Sequence, residues 1–300
     1  MKRKALIVYN PYSGGGKHSK VLKKLLPALD RAVISYQTQE TLASYSESVA
    51  SISNALDETI TDIIAIGGDG TIHHVLNGIK DKQVVLNIIP AGTGNDFVKN
   101  ISIGKKLKEH ILTVIHGNVR SVDVGQCNDR LFANVLGLGF DGQIVSDMLH
   151  KKTFLKGHTK YYYFVLKILA TFKSVLLNYS VDNVSEKKDT LLLTIANGTT
   201  VGGGFKLAPN ADISDGLLDV CRVGRVSPMA RFLNIHKLSN GTHNTLKDVS
   251  FDTATSVFVE ETSQISAHID GEYFGHPPFD IQVLSGALSL RVAADYGQLK

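Results

Sequence analysis

In the first third of the chain, apolar positions recur in two alternating patterns. Leu6–Tyr9, Arg31–Gln37 (through Val33, Ile34 and Tyr36), Ile63–Ile66 and Val84–Ile89 are short apolar runs that predict strands. Between them, Leu22, Leu25, Leu26 and Leu29 recur at helical spacing, with Pro27 placed to kink the helix. Leu42, Tyr45, Val49, Ile52 and Leu56 mark another helix face. Ile72–Ile79 reads as a helix directly behind the third strand, and Leu107–Ile115 as one that stops at Gly117. Strands alternating with helices predict a parallel sheet with helices on its faces.

Near Ser121 the pattern changes to short alternating runs separated by turn residues: Ser121–Gln126, Leu131–Val135, Thr190–Ala196, Leu217–Val223, Thr255–Val259, Gln264–Ile269, Phe279–Leu284 and Leu288–Val292. That spacing predicts an antiparallel sandwich or barrel. Helices are expected at Gly142–Leu149, Lys160–Leu177 and Pro228–Leu238, and an exposed loop at Ser180–Asp189. The fold class is therefore α/β plus all-β, and 300 residues suit two domains.

Composition narrows the function classes. A net charge of +4 is too mild for a nucleic-acid partner, though a local basic patch could face an anionic membrane or a nucleotide. Cys127 and Cys221 lie far apart without a CxxC, as expected of unpaired thiols in a reducing compartment. The apolar run after Met1-Lys2-Arg3-Lys4 is too short for a signal peptide and reads as the first strand of a cytoplasmic protein. Tyr161–Leu177 is long and apolar, but Lys167 and Lys173 interrupt it and argue against a membrane span. It reads as a core helix or a surface-docking helix.

Three glycine-rich turns follow predicted strands: Asn10–Lys17, Gly67–Thr71 and Pro90–Phe97. Glycines at a strand-to-helix turn let backbone N–H groups approach an anion, and a helix N-terminus adds partial positive charge. All three stand where open α/β sheets bind ligands. Asp69 could hold the metal that accompanies a phosphate or take a proton from a hydroxyl. The first turn is not a Walker A loop, because Pro11 stands where that motif needs glycine and His18 follows Lys17. No turn carries GxGxxG. In the second domain, Ile265, Ala267 and Ile269 share one strand face, leaving His268 and Asp270 on the other; Asp270-Gly271 also reads as a plain hairpin turn. Asp212–Asp219 has spaced carboxylates that suit Mg²⁺ or Ca²⁺, or simply a solvated turn.

Asn10-Pro11-x-Ser13-Gly14, Gly67-Gly68-Asp69-Gly70-Thr71, Gly92-Thr93-Gly94-Asn95-Asp96 and Asp270-Gly271-Glu272 occur in an order and spacing that resemble the diacylglycerol kinase catalytic family, most of all its soluble bacterial lipid kinases. The resemblance spans nearly the whole chain. It implies an ATP-binding domain over residues 1–120, similar to NAD kinase and 6-phosphofructokinase, and a β-sandwich lipid domain over 121–289. It further implies a return of residues near 290–300 to the first domain and an active site in the cleft between domains. The resemblance implies that Asn10, Pro11, Ser13, Gly14 and Thr38 (expected just after the second strand) border the nucleotide. Gly67, Gly68, Asp69, Gly70 and Thr71 would hold the triphosphate with its Mg²⁺, and Gly92, Thr93, Asn95 and Asp96 would line the same site. Asp270 and Glu272 match the carboxylates that take the proton of the lipid hydroxyl, Glu272 being the favoured base. Asp212, Asp215 and the Leu217 carbonyl resemble a structural Mg²⁺ site.

The implied activity is ATP- and Mg²⁺-dependent phosphorylation of diacylglycerol or a related membrane lipid. Basic residues Lys156, Lys160, Lys167 and Lys173 along an apolar helix would suit peripheral membrane contact, and an exposed edge strand could pair two subunits. The alternatives are an NAD kinase-type phosphotransferase and a non-catalytic lipid- or nucleotide-binding regulator. The Asn10-Pro11-x-Ser13 and Asp270-Gly271-Glu272 motifs speak against the first. The four carboxylates Asp69, Asp96, Asp270 and Glu272 speak against the second.

Overall fold

The computed structural model describes residues 2–155, 157–262 and 264–294. Lys156, residues 295–300 and the Ser13 side chain, which enter the expectations above, lie outside what it describes. The chain divides into two compact units: one runs to Val124 and resumes from Ser285, and the other is Gly125–Leu284. The expected limits at 120 and 289 fall inside two strands, because the chain passes from one unit to the other in mid-strand.

The first unit contains β1 (Lys4–Tyr9), α1 (Lys17–Arg31), β2 (Ser35–Glu40), α2 (Tyr45–Ala55), β3 (Asp62–Gly67), α3 (Asp69–Gly78), β4 (Val85–Pro90), α4 (Leu107–His116) and the start of β5 (Asn118–Cys127). β3 is buried along its whole length, as its unbroken apolar run requires of a central parallel strand. The second strand begins later than expected. α1 persists to Arg31 and closes with N–H donations from Ala32, Val33 and Ile34 back to Ala28, Asp30 and Leu29. Val33 therefore sits exposed at φ +55° in the turn, outside the strand. Ser44 caps α2 by accepting from Glu47 N–H. Gly117 ends α4 with extended backbone; a Cβ there would lie 2.3 Å from the Val292 carbonyl oxygen.

The second unit contains β6 (Arg130–Phe132), β7 (Val135–Gly139), α5 (Phe140–His150), α6 (Gly157–Thr171), β8 (Val175–Val181), β9 (Val184–Thr190), β10 (Leu192–Ala196), β11 (Leu218–Val223), α7 (Pro228–Asn240), β12 (Val249–Ala254), β13 (Ser256–Val259), β14 (Ala267–Ile269), β15 (Glu272–Gly275) and the start of β16 (Phe279–Val292). Two expectations fail here. The helix expected to reach Leu177 stops at Thr171, because from Val175 burial alternates along the chain (Leu176 exposed, Leu177 and Tyr179 buried) and β8 pairs with β9. The expected loop 180–189 is that hairpin: Asp182 and Asn183 both take positive φ, the tight turn whose twist matches a hairpin. The charges of Glu186, Lys187, Lys188 and Asp189 line its exposed edge strand, which discourages further pairing.

In the first unit the strand order is β2-β1-β3-β4-β16, every pair parallel; the end of β16 joins with Leu290 opposite Leu86. This return is anchored by charge. Asp62 is 1% exposed and pairs with Arg3 at 2.6 Å and Arg291 at 3.0 Å. Burial opposes its charge, but hydrogen bonds from Arg3, Thr61 and Asn87 outweigh that and hold its carboxyl below the usual range. In the second unit, the antiparallel sheet β12-β11-β10-β7-β14-β15 contributes Leu136, Leu193, Ile195 and Val220 to one core, and strands β8, β13 and β16 contribute Tyr179, Val257 and Ile281 to the same core, giving a sandwich. Ser227 caps α7, Pro228 opens it, and Gly241 closes it at φ +72°.

Candidate active site

In the first unit the three glycine turns meet at the C-terminal rim of the parallel strands. A Cβ on Gly14 (φ +56°) would lie 2.0 Å from the Ala91 carbonyl oxygen, so the first turn packs directly on the third. A Cβ on Gly92 would lie 2.4 Å from the Gly68 Cα, so the second and third also touch. Ala91 and Gly92 N–H both donate to the Gly67 carbonyl. Asp69 Oδ1 accepts from Phe97 N–H at 3.1 Å, binding the second turn to the helix-like stretch after the third. Asn95, at φ +48°, closes its own turn on Gly92 through both ends of its amide. The result is a backbone cradle in which backbone packs on backbone where Cβ atoms would stand, next to the N-terminus of α3, whose first turn is Asp69-Gly70-Thr71.

Other expected residues take varied places. Asn10 Oδ1 accepts from Tyr12 N–H at 2.9 Å, which shapes the turn through Pro11. Thr93 is exposed, and Asp96 is buried beside Lys99 at 2.5 Å. Thr38 departs from expectation: it lies within β2, opposite Ile7, two positions short of the Glu40–Tyr9 pair at the rim. The later start of β2 shifted the strand past it.

In the second unit, Asp270 and Gly271 form the turn of the β14–β15 hairpin at φ +48° and +87°. Asp270 is committed to the backbone: its carboxylate accepts from the N–H groups of Ala133, Asn134 and Val135 at 2.9, 3.0 and 2.9 Å. Glu272, next along, is exposed. It stands on the lining of a cavity of about 440 Å³, walled by apolar side chains of α5, α6, α7 and β10, among them Ile144, Val165, Leu192 and Leu238, and by Leu207 from the segment after β10. Asp141, His268, Glu272 and the tyrosines Tyr161 and Tyr273 are the side chains through which polarity enters this lining.

Sequence reasoning missed Asp141 and this pocket. His268 lies on the face opposite Ala267 and Ile269, as the alternation predicts, and α5 covers that face, so all three residues of β14 are buried. The available signal was Gly137: a Cβ there would lie 2.0 Å from Asp141 Oδ2 and 2.6 Å from His268 Nε2.

The acidic turn closes on itself. Asp212 Oδ1 accepts from Ser214 N–H and Oγ–H, and Asp215 Oδ1 accepts from Leu217 N–H. Asp219 behind them is raised to about 6 by burial and by the charge of Asp215. Among the described residues no group of three or more histidine, cysteine or acidic side chains could hold a metal ion.

A parallel α/β unit with a glycine cradle is joined in one chain to a sandwich unit with an apolar cavity, an arrangement that suits a phosphotransferase with a largely apolar acceptor. Residues 4–127 match the family described as diacylglycerol kinase catalytic domain, and residues 134–292 match the YegS C-terminal NAD kinase beta sandwich-like domain. The chain is 31% identical over 285 residues to a diacylglycerol kinase of Bacillus subtilis (strain 168), covering 93% of this chain and 92% of that protein. It is 30% identical over 284 residues to one of Staphylococcus saprophyticus, with the same coverage. A crystal structure of a diacylglycerol kinase from Bacillus anthracis str. Sterne shares the fold at a TM-score of 0.74, with 98% of each chain covered at 23% identity. The chain belongs to the diacylglycerol kinase catalytic-domain family and is an ATP-dependent kinase acting on a lipid hydroxyl.

Proposed function

We propose that the protein phosphorylates diacylglycerol or a lipid with a similarly placed hydroxyl, and that Glu272 is the general base. The observation that carries this reading is the division of labour in the Asp270–Glu272 hairpin. Asp270 is held by three backbone donors, while Glu272 is exposed on the lining of an apolar cavity. Acyl chains would occupy the cavity, with the hydroxyl at Glu272. An acceptor such as NAD would need polar partners where the cavity presents Ile144, Val165 and Leu192.

The nucleotide's phosphates would lie over the cradle, held by the backbone of Gly14, Gly68, Gly70 and Gly92, with Asn10, Pro11, Ser13, Gly67, Thr71, Thr93 and Asn95 around it. The cradle suits a phosphate because glycines at these turns leave backbone N–H groups uncovered beside the N-terminus of α3, which adds partial positive charge. Mg²⁺ would be held by Asp69 together with phosphate oxygens and water, the usual ligation of this ion in kinases, while Asp96, paired with Lys99, would line the same rim. Mg²⁺ would supply charge neutralisation at the triphosphate. The chain's own part is positioning: Phe97 N–H orients Asp69, and Glu272 accepts the proton as the lipid oxygen bonds to the γ-phosphorus and the bond to ADP breaks.

The test is transfer of labelled γ-phosphate from ATP to a lipid panel in mixed micelles with Mg²⁺. Label in diacylglycerol, lost in Asp69→Ala and reduced at least about 100-fold in Glu272→Gln, is the expected result. Full activity of Glu272→Gln would remove its role as base; label in NAD alone would overturn the reading.

Access to a bilayer lipid would come from the helices around the cavity. α6 packs Phe164, Val165 and Ile168 against the neighbouring α5 and exposes Tyr162, Tyr163 and Leu166; α7 exposes Met229, Phe232 and Leu233. Lys167 and Lys151 both reach Asp147, which leaves the patch less cationic than its lysines alone imply. Among the described residues no helix is long and apolar enough to cross a membrane, so contact would be peripheral. Leu166→Glu with Leu233→Glu should weaken cosedimentation with anionic vesicles; unchanged binding would refute this surface. Asp212, Asp215 and the Leu217 carbonyl are proposed as a cation site, for which Mg²⁺ should raise the melting temperature of wild type and leave that of Asp215→Ala unmoved.

A further inference from the structure

We infer that His268 is a positioning residue for Glu272, locked in its working tautomer by Asp141; this rests on the reading of Glu272 as the base. His268 lines the same cavity as Asp141 and Glu272, with its side chain 2% exposed. Its Nδ1 accepts from Gly271 N–H at 3.2 Å, so that nitrogen carries no proton. The proton is on Nε2, which donates to Asp141 Oδ2 at 3.2 Å. The carboxylate thereby selects the tautomer that can hold the hairpin turn.

Both partners are delivered by backbone features with no slack. Gly137 stands opposite His268 in the β7–β14 register, and its missing Cβ is the room in which the imidazole and carboxylate meet. Asp141 occupies the first turn of α5, which is pressed onto the strand so closely that a Cβ on Gly142 would lie 2.0 Å from the Ser266 carbonyl oxygen. Asp270 fixes the first residue of the turn through its three backbone bonds. The second residue, Gly271, has φ +87° and open space where a Cβ would be, so packing does not hold it. His268 does. Glu272 is the next residue and the first of β15, paired with Ile269, so the hairpin register and the bond from Gly271 N–H to His268 together set the point from which its carboxylate projects.

Hairpin stability alone does not call for this arrangement. A buried polar pair can generally be replaced by apolar side chains at little cost in stability, and here the surrounding cavity is apolar. What an apolar residue cannot provide is an acceptor for Gly271 N–H.

The test is steady-state kinetics of His268→Leu and His268→Asn, alone and in the Glu272→Gln background. Misplacing a reacting group by about 1 Å costs on the order of 100-fold, so His268→Leu should lower kcat by roughly 10- to 100-fold with KM for ATP and lipid little changed. His268→Asn, whose Oδ1 takes the place of Nδ1, should recover most of that loss. In Glu272→Gln, adding His268→Leu should cost nothing more. Unchanged kcat in His268→Leu, failure of His268→Asn to recover, or losses that multiply in the double variant would each overturn the proposal. Should His268→Leu fail to fold, Asp141→Ala, which leaves the ring in place but frees its tautomer, should lower kcat several-fold; no change would count against the lock. Full activity of Glu272→Gln would instead refute the base assignment itself, a result distinct from inactivity of Glu272→Gln with a normal His268→Leu.

Discussion

Replacing Asp270 tests the proposal that its carboxylate is structural and that of Glu272 catalytic. In the native hairpin, Oδ1 accepts from Asn134 and Val135 N–H and Oδ2 from Ala133 N–H. The three residues that donate are buried, so water cannot readily replace the acceptor. In Asp270→Asn, Oδ1 can still serve two donors, but the amide nitrogen faces the third. One unsatisfied buried N–H plus weakening of two charge-assisted bonds costs about 2–4 kcal/mol. Asparagine tolerates the positive φ of +48° at this position, so no backbone strain is added. Asp270→Ala loses all three acceptors and adds about 1–2 kcal/mol of left-handed strain, and should fold poorly. A domain of this size shifts its midpoint by about 2–4 °C per kcal/mol, so Asp270→Asn should melt roughly 4–16 °C lower. Differential scanning fluorimetry gives the midpoint, and phosphoryl transfer below the transition gives activity. Stability should fall more than activity, with Glu272→Gln showing the reverse. If Asp270→Asn melts like wild type and is inactive while Glu272→Gln stays active, Asp270 is the base and the argument from its hydrogen bonds is wrong.

Gly14→Ala should raise KM for ATP sharply and destabilise the protein, because its Cβ would lie 2.0 Å from a backbone oxygen; Gly15→Ala, with φ +70° and open space, should cost only about 1–2 kcal/mol, and equal effects in both would refute the cradle geometry. Val201→Phe, on the cavity wall, should raise KM for a long-chain lipid while leaving KM for ATP unchanged, read from kinetics against lipids of two chain lengths. Asp62 titrates below its unfolded range, so its contribution is present above the unfolded value of about 3.9 and is lost as pH falls through the lower folded value. Asp62→Asn should therefore flatten the acid limb of the stability curve; it should also cost about 3 kcal/mol at neutral pH, because Arg3 and Arg291 lose their partner. Midpoints measured from pH 3 to 7 check both, and an unaltered acid limb would refute the assignment.

The parallel unit and its three glycine turns were readable because each signal is local: an apolar run, then glycines, then a helix start. Thr38 was misplaced because the true start of β2 depends on where α1 ends, and that is set by how α1 packs Leu25 and Leu29 into the core. The hairpin over residues 175–190 was hidden for a related reason: the largely apolar stretch from Tyr161 to Leu177 fits a helix until β9 is present to pair with Val175–Val181. At the Asp270–Glu272 motif the residue types pointed to carboxylate chemistry, yet nothing in their order says which carboxylate the backbone of residues 133–135 consumes. The partnership of Asp141 with His268 joins positions 127 residues apart, and only Gly137 hints at it. What the sequence determined by itself was the succession of elements and the chemistry of its turns, because backbone propensity and hydrophobic period act over a few residues. What only the tertiary structure decided was the apolar cavity, the hydrogen-bond partners of Asp270 and those of His268, because hydrogen-bond acceptors and enclosed volume are shared among segments that are far apart in the chain.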